Sequence, residues 1–417
     1  PFTVGVALDG AGWHPAAWRD PQARPAELFS GSYWQSLVAE AERAGVDYVT
    51  IDDSLQLPSR GPLDREAPPR PRADRVDGRL DALLIASWVA PHTSRIGLIP
   101  TVTTTHTEPF HLATALQTLD HVSLGRAGWQ LRFSAGTAEA AAFGRRPAPE
   151  IDLEAVLAGR PDAGLADLLA DAAEAAEVAR RLWDSWEDDA IIRDLATGRF
   201  LDGERLHHIR FESERFSVVG PSIVPRSPQG QLPITLLAHS PQIFELAART
   251  ADAVFVTPAN DSAAAGASRG KSGAQLVAEV RAAEAAAGRE AAGLSQLRIV
   301  ADLVVALDTD AESGADRLRR LDRLAGAPYA GDARIAAGSA REIAELIAAW
   351  HAEGADGVRL RPLALPGDLE AISAELLPLL RELIPSSAPG EGSQLRDRFA
   401  LPPAVNRYTA EREERAA

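Results

Sequence analysis

The chain has 417 residues with 59 acidic against 43 basic side chains, a formal net charge of −16, and 46% of it is hydrophobic. A field of that sign repels phosphate backbones and anionic membranes, so neither nucleic acid nor a membrane surface is an expected partner. Without cysteine, a disulfide scaffold, thiolate chemistry and sulfur-ligated zinc are excluded. No apolar run approaches the roughly 20 residues that span a bilayer and no signal peptide opens the chain, so the cytoplasm is the expected location.

Strands and helices alternate. Thr3–Leu8 is a short apolar run, and an amphipathic helix is predicted to open at Ser32. Ser32 and Gln35 have capping-box spacing, and Trp34, Leu37, Val38 and Ala41 share one face. Gly45 ends that helix before strand Tyr48–Ile51. Helix Leu80–Ala90 leads to strand Ile96–Val102, helix His111–His121 to strand Ala127–Phe133, and a long helix through Ala172–Trp186 to strand Ile234–Leu237. Helix Pro241–Thr250 precedes strand Ala253–Val256, and helix Ala274–Ala287 precedes strand Leu297–Ala306. A second capping box, Ser339 with Glu342, opens a helix whose Ile343, Leu346, Ile347 and Trp350 form the apolar stripe. Gly354 stops it before strand Gly357–Leu360, and Leu369–Leu383 is the last helix.

Eight strands, each followed by a helix, demand a parallel sheet with right-handed crossovers. No glycine-rich fingerprint follows the first strand, which disfavours an open doubly wound sheet. The predicted fold is therefore α/β, a (β/α)8 TIM barrel forming one domain over residues 1–385, with insertions after strands 2, 4 and 6. Residues 57–77 read as a long Pro-, Arg- and Asp-rich loop, 195–231 as a small hairpin insertion, and 257–273 as an Ala-, Ser- and Gly-rich loop. Residues 386–417 read as a C-terminal arm, packed on the surface or on a neighbouring subunit of a homo-oligomer, a dimer or tetramer.

Asp47, Asp252 and Asp356 each stand between a helix end and a buried strand. Such turns lie at the stability face of a barrel, so these aspartates are read as structural. Chemistry is expected just past the strand ends instead. Those positions hold Trp13 and His14, then Asp52-Asp53-Ser54, then Thr103 through His106. Gln130, Arg132 and Ser134 follow on the fourth strand, and His239 and Ser240 after the fifth. Ser240 precedes Pro241, which suits an N-cap with proline at N1, and equally a helix N-terminus that receives a phosphate. His106 and His111 flank Glu108 without the i, i+4 spacing of a helical metal pair, so no metal site is predicted. There is no Gly-x-Ser-x-Gly elbow, and adjacent Asp52 and Asp53 point apart on a strand end, which does not suit a glycosidase pair. With no strong acid, base or nucleophile in view, a cofactor is expected to carry the chemistry.

The same strand ends resemble a known family. His14-Pro15-Ala16-Ala17-Trp18-Arg19, Ile51-Asp52-Asp53-Ser54, Thr103 through Ala113 and Leu119 through Trp129 are similar to motifs of the bacterial luciferase-like flavin monooxygenases. So are Leu182-Trp183-Asp184-Ser185-Trp186, Gly220-Pro221 with Ser227-Pro228-Gln229-Gly230, and Leu401 through Tyr408. The resemblance points to the nitrilotriacetate/dibenzothiophene-sulfone monooxygenase branch. It implies a barrel that receives reduced FMN from a separate flavin reductase and uses dioxygen to oxygenate a small organic substrate. By position, Asp53, Thr103, Gln130, His239 and Ser240 would contact FMN, with Ser240 near the phosphate, while Trp13 and His14 would take the catalytic wall of the flavin face. Four departures stand out. Gln130 replaces a family asparagine, Leu169 falls near a phosphate-reaching tyrosine, Leu236-Leu237-Ala238 stands for the Gln-Ala-Gly before the phosphate serine, and Ile243 replaces a glycine three residues after that serine. These keep two alternatives open: a deazaflavin-dependent oxidoreductase, or a diverged paralogue with weak or no flavin binding that acts as partner subunit or binding protein.

Overall fold

A computed structural model describes residues 2–57, 72–157, 160–258, 270–386 and 388–410. Nine parallel strands form the main sheet: β1 (Thr3–Leu8), β2 (Tyr48–Ile51), β3 (Gly97–Thr103), β4 (Trp129–Arg132), β5 (Ile234–Leu237), β6 (Ala253–Val256), β7 (Arg298–Leu307), β8 (Arg334–Gly338) and β9 (Gly357–Pro362). Pairing of β6 with β7 and of β1 with β9 closes eight of them into a barrel in which β8 takes no part. The eight are the strands expected from the alternation.

β8 and the helix before it, α7 (Gly314–Ala325), are additions that the sequence reading did not foresee. The reason lies in the length of β7. Its first residues, Arg298–Ala301, pair with β6, and its last, Leu303–Leu307, run on beyond β6 and pair with β8 along the same edge. The crossover from β7 to β9 therefore carries a further, fourth insertion over the mouth in addition to helix Ala340–Ala352. Most of the loop expected at 57–77 (residues 58–71), and 259–269 of the one expected at 257–273, lie outside the described residues. The 195–231 region holds a hairpin of Phe211–Glu212 with Ser217–Val218, and a second one, Ile191–Asp194 with Arg199–Leu201, begins just before it.

The first helix spans Gly31–Arg43, two residues earlier at its cap than expected. Ser30 is extended and its side chain accepts the Tyr33 N–H, so Ser32 lies inside the first turn. The capping box of Ser339 and Glu342 is present. The three aspartates share one geometry: Asp47 accepts the Val4 N–H at 2.7 Å, Asp252 that of Ile234 at 2.8 Å, and Asp356 that of Ile299 at 2.9 Å. Each satisfies a backbone donor at the first or second residue of the neighbouring strand, at the N-terminal face.

That face is sealed by the C-terminal arm of the same chain. Leu395, Phe399 and Leu401 pack with Tyr48, Ile99, Ala253, Phe255 and Val300 in a cluster of their own, the Phe399 and Tyr48 rings 5.2 Å apart. Glycine is required where the plug enters: a Cβ on Gly97 or Gly128 would come within 2.5 or 2.8 Å of Leu395. With the floor closed, access to the barrel interior is from the opposite end. No helix among the described residues is long and apolar enough to cross a membrane.

Candidate active site

Two layers of inward side chains lie between plug and mouth. In the lower, Arg359 of β9 donates through Nε and Nη2 to the Asp302 carboxylate of β7 at 2.7 and 2.5 Å. Its Nη1 donates to Oε1 of Gln130 at 2.7 Å and to Thr50 Oγ1 at 3.4 Å, with the guanidinium 3.7 Å over the Phe255 ring. Two residues on, Arg361 also donates to Asp302 and reaches Asp332 at 2.5 and 3.2 Å. Asp302 and both arginines are almost completely buried, which only close pairing makes tolerable.

The network continues to the rim. His239 Nε2 lies 3.3 Å from Asp332, and its Nδ1 lies 3.1 Å from the Thr257 hydroxyl. Burial works to raise the Asp332 carboxyl, but Arg361 and His239 outweigh it and hold it below the usual carboxylate range. The Arg361 guanidinium sits 4.4 Å over the ring of Trp13, whose Nε1 donates to the Ala7 carbonyl at 2.9 Å. A chain of contacts thus joins three expected site residues, Gln130, His239 and Trp13, through residues that sequence reasoning missed: Asp302, Arg359, Arg361 and Asp332. The signal for three of them was present. Asp302 is a lone charge inside Ile-Val-Ala-Asp-Leu-Val-Val, and Val-Arg-Leu-Arg puts both arginines on one face of a strand.

The remaining expected residues spread around the rim. Thr103 is buried at the end of β3. Both Asp53 oxygens are engaged by backbone, one by the Ser54 N–H at 2.7 Å and the other by the Ala82 N–H at 2.8 Å. Burial pushes its carboxyl up to about 6. Across β1, Arg79 bridges Asp9 and Asp52 at 3.2 Å each.

His14 is not open to the mouth; its side chain is fully enclosed. Nδ1 accepts the Ala16 N–H at 3.0 Å, so the proton sits on Nε2, which faces Asp322 of α7 at 3.1 Å. Burial lowers the imidazole from its ordinary value, with the Asp322 hydrogen bond opposing. A base depressed in the fold contributes stability that is complete above its unfolded value of about 6.5 and is lost as pH falls through the folded one. Compared with His14→Asn, whose amide oxygen can still accept from Ala16, the wild type is expected to hold its largest melting-temperature advantage near pH 8 and a smaller one near pH 5. An advantage that grows on acidification would mean a charged imidazole.

Ser240 precedes α5 (Pro241–Thr250), and its side chain makes no capping hydrogen bond. Its Oγ is buried without a partner among the described residues. The capping reading therefore does not hold, and a hydroxyl is left at the tip of a helix in whose first turn Pro241 has no N–H, Ile243 donates to the Ser240 carbonyl at 3.1 Å, and Gln242 keeps an N–H without an intrahelical acceptor. Leu169 borders the same corner, lining a groove of about 490 Å³ with Pro241 and Gln242, while the Ile243 side chain packs against the core. An uncommitted hydroxyl, a helix tip and His239 at the rim fit the phosphate and polar ring edges of a flavin mononucleotide.

Fold and mouth together define a β/α barrel closed at its N-terminal face and open at the C-terminal ends of its strands. The profile of the luciferase-like monooxygenases matches residues 12–331, and the chain belongs to that family of flavin-dependent oxidoreductases. It is 29% identical to the N-acetyl-S-(2-succino)cysteine monooxygenase of Bacillus subtilis (strain 168), over 97% of this chain and 98% of that protein. With component A of the nitrilotriacetate monooxygenase of Aminobacter aminovorans it shares 36% identity, over 61% of this chain and 53% of that relative. Among solved structures, a long-chain alkane monooxygenase has the same fold, with a TM-score of 0.79 at 20% identity over 96% of this chain and 95% of the other.

Proposed function

We propose that this protein is the oxygenating component of a two-component monooxygenase, binding reduced FMN delivered by a separate flavin reductase and oxygenating a small organic substrate at the barrel mouth. The observation that carries the reading is the buried Ser240 hydroxyl at the start of α5, which has no partner among the described residues, in a chain of this family. When bound, the reduced flavin supplies the two electrons that activate dioxygen, one atom of which enters the substrate while the other leaves as water.

The protein's own residues bind and orient. Ser240 and the first turn of α5 receive the phosphate. Gln130, Thr103 and His239 meet the ring system, with Asp53 at the rim, and Trp13 walls the flavin face. His14, enclosed beside Tyr329, holds the loop after β1 against α7 through Asp322. Full-length likeness to a monooxygenase favours this reading over a paralogue that has lost flavin.

Titration of the purified protein with FMN, riboflavin and a deazaflavin tests it, with FMN expected to bind tightest. Ser240→Ala is expected to weaken FMN roughly 10- to 100-fold, the size of a hydrogen bond to a charged group, and to leave riboflavin, which has no phosphate, unchanged. Binding of neither flavin would overturn the reading, and preference for the deazaflavin would replace it. Equal losses for FMN and riboflavin would move the phosphate elsewhere.

A further inference from the structure

Gln130 has two faces, and the structure commits one of them. Its Oε1 accepts from Arg359 Nη1 at 2.7 Å. A guanidinium only donates, so the amide cannot turn over without setting N–H against N–H. The nitrogen, Nε2, finds no acceptor among the described residues, yet it is not one of the sealed, unpartnered atoms of the interior. With the floor plugged by Leu395 and Phe399, it opens toward the mouth.

Arg359 is itself held from three sides. The Asp302 carboxylate takes two of its nitrogens, Thr50 and Gln130 share the third, and the Phe255 ring lies beneath. This leaves one orientation for the guanidinium and hence one for the amide. An asparagine, one methylene shorter, has less reach from β4 toward Arg359, so the glutamine is what allows this tie.

We propose that Arg359, fixed by Asp302, is a positioning residue that locks Gln130 with its N–H donors toward the mouth, so that the protein presents a hydrogen-bond donor, never an acceptor, to the polar edge of the flavin. The proposal rests on the flavin reading above and adds a polarity to the cofactor's seat. A fixed donor favours electron-rich carbonyl and ring-nitrogen acceptors, and it favours the reduced flavin further because that form carries more negative charge.

The test is a titration of oxidised FMN into the wild type, Gln130→Glu and Arg359→Lys, with the midpoint potential of the bound flavin measured for each. Glutamate keeps an acceptor for Arg359 and exchanges only the N–H donor for an anionic oxygen. Gln130→Glu is expected to keep the wild-type melting temperature, bind FMN at least about tenfold more weakly, and lower the potential of what binds. Lysine retains the charge beside Asp302 but cannot span Asp302 and Gln130 together. Arg359→Lys is expected to weaken FMN and riboflavin equally, because the phosphate corner is untouched. Unchanged affinity and potential in a folded Gln130→Glu protein overturn the proposal. If that variant does not fold, unchanged flavin affinity in Arg359→Lys overturns it alone. A wild type that binds no flavin overturns the functional reading, and this proposal with it.

Discussion

Asp302→Ala is expected to cost about 3–5 kcal/mol of folding stability, because it strands two buried guanidinium groups at once. Arg359 would keep only Gln130 and Thr50, both neutral, and Arg361 would keep only Asp332 at the rim. The attraction between charges this close is strong because little water screens them. Asp302→Asn preserves the shape and one acceptor oxygen, so it should lie between alanine and wild type. Urea unfolding of the three proteins gives the ordering directly. A loss below about 1 kcal/mol for alanine would mean that water enters the barrel and solvates the arginines, and the network would then be no rigid support for Gln130.

Phe399→Ala is the second large effect, with an expected loss of about 3–5 kcal/mol, typical of removing a fully buried aromatic ring. The ring lies in the plug beside Tyr48, between Leu395 and Leu401 of the same arm. Relaxation cannot fill the gap cheaply, since the barrel strands around it are held by their own ladders. The arm is further tied by Arg396 to the Gln231 carbonyl at 2.9 Å and by Asn406 to the carbonyls of Asp184 and Trp186 at 2.8 and 3.0 Å. Thermal unfolding of Phe399→Ala should show a single transition at lower temperature. An unshifted transition would show that the arm merely rests on the surface.

Much of the scaffold is legible in the linear chain because barrel strands are short, apolar and separated by helices with their own caps and stops. The eight closing strands need only the alternation of apolar runs with 3.6-residue stripes. α7 and β8 escape that reading for physical reasons. α7 does carry a clear helical period in Leu318, Leu321 and Leu324, but it is set among many Arg and Asp, and no apolar strand follows it: every residue of β8 is only half buried, so Arg334–Gly338 shows no buried-strand pattern. Ser313 before α7, paired with Asp316 in its first turn, and Gly326 after it are the available signals.

The site divides in the same way. Strand-end position and family resemblance pick out Trp13, Gln130, His239 and Ser240, because chemistry in this fold gathers where strands stop. They do not reveal that His14 is enclosed, that both Asp53 oxygens are engaged by backbone, or that Ser240 caps nothing. Those outcomes depend on which partners arrive from elsewhere in the chain. Asp322 reaches His14 across 308 positions, and Arg359 reaches Gln130 across 229.

The sequence by itself therefore determined the barrel and the family to which it belongs, since each follows from local period, capping and short motifs. Only the tertiary structure decided how the mouth is wired and how the floor is closed. A hydrogen bond or ion pair is set by distance in space, and a barrel brings together side chains that no local pattern relates.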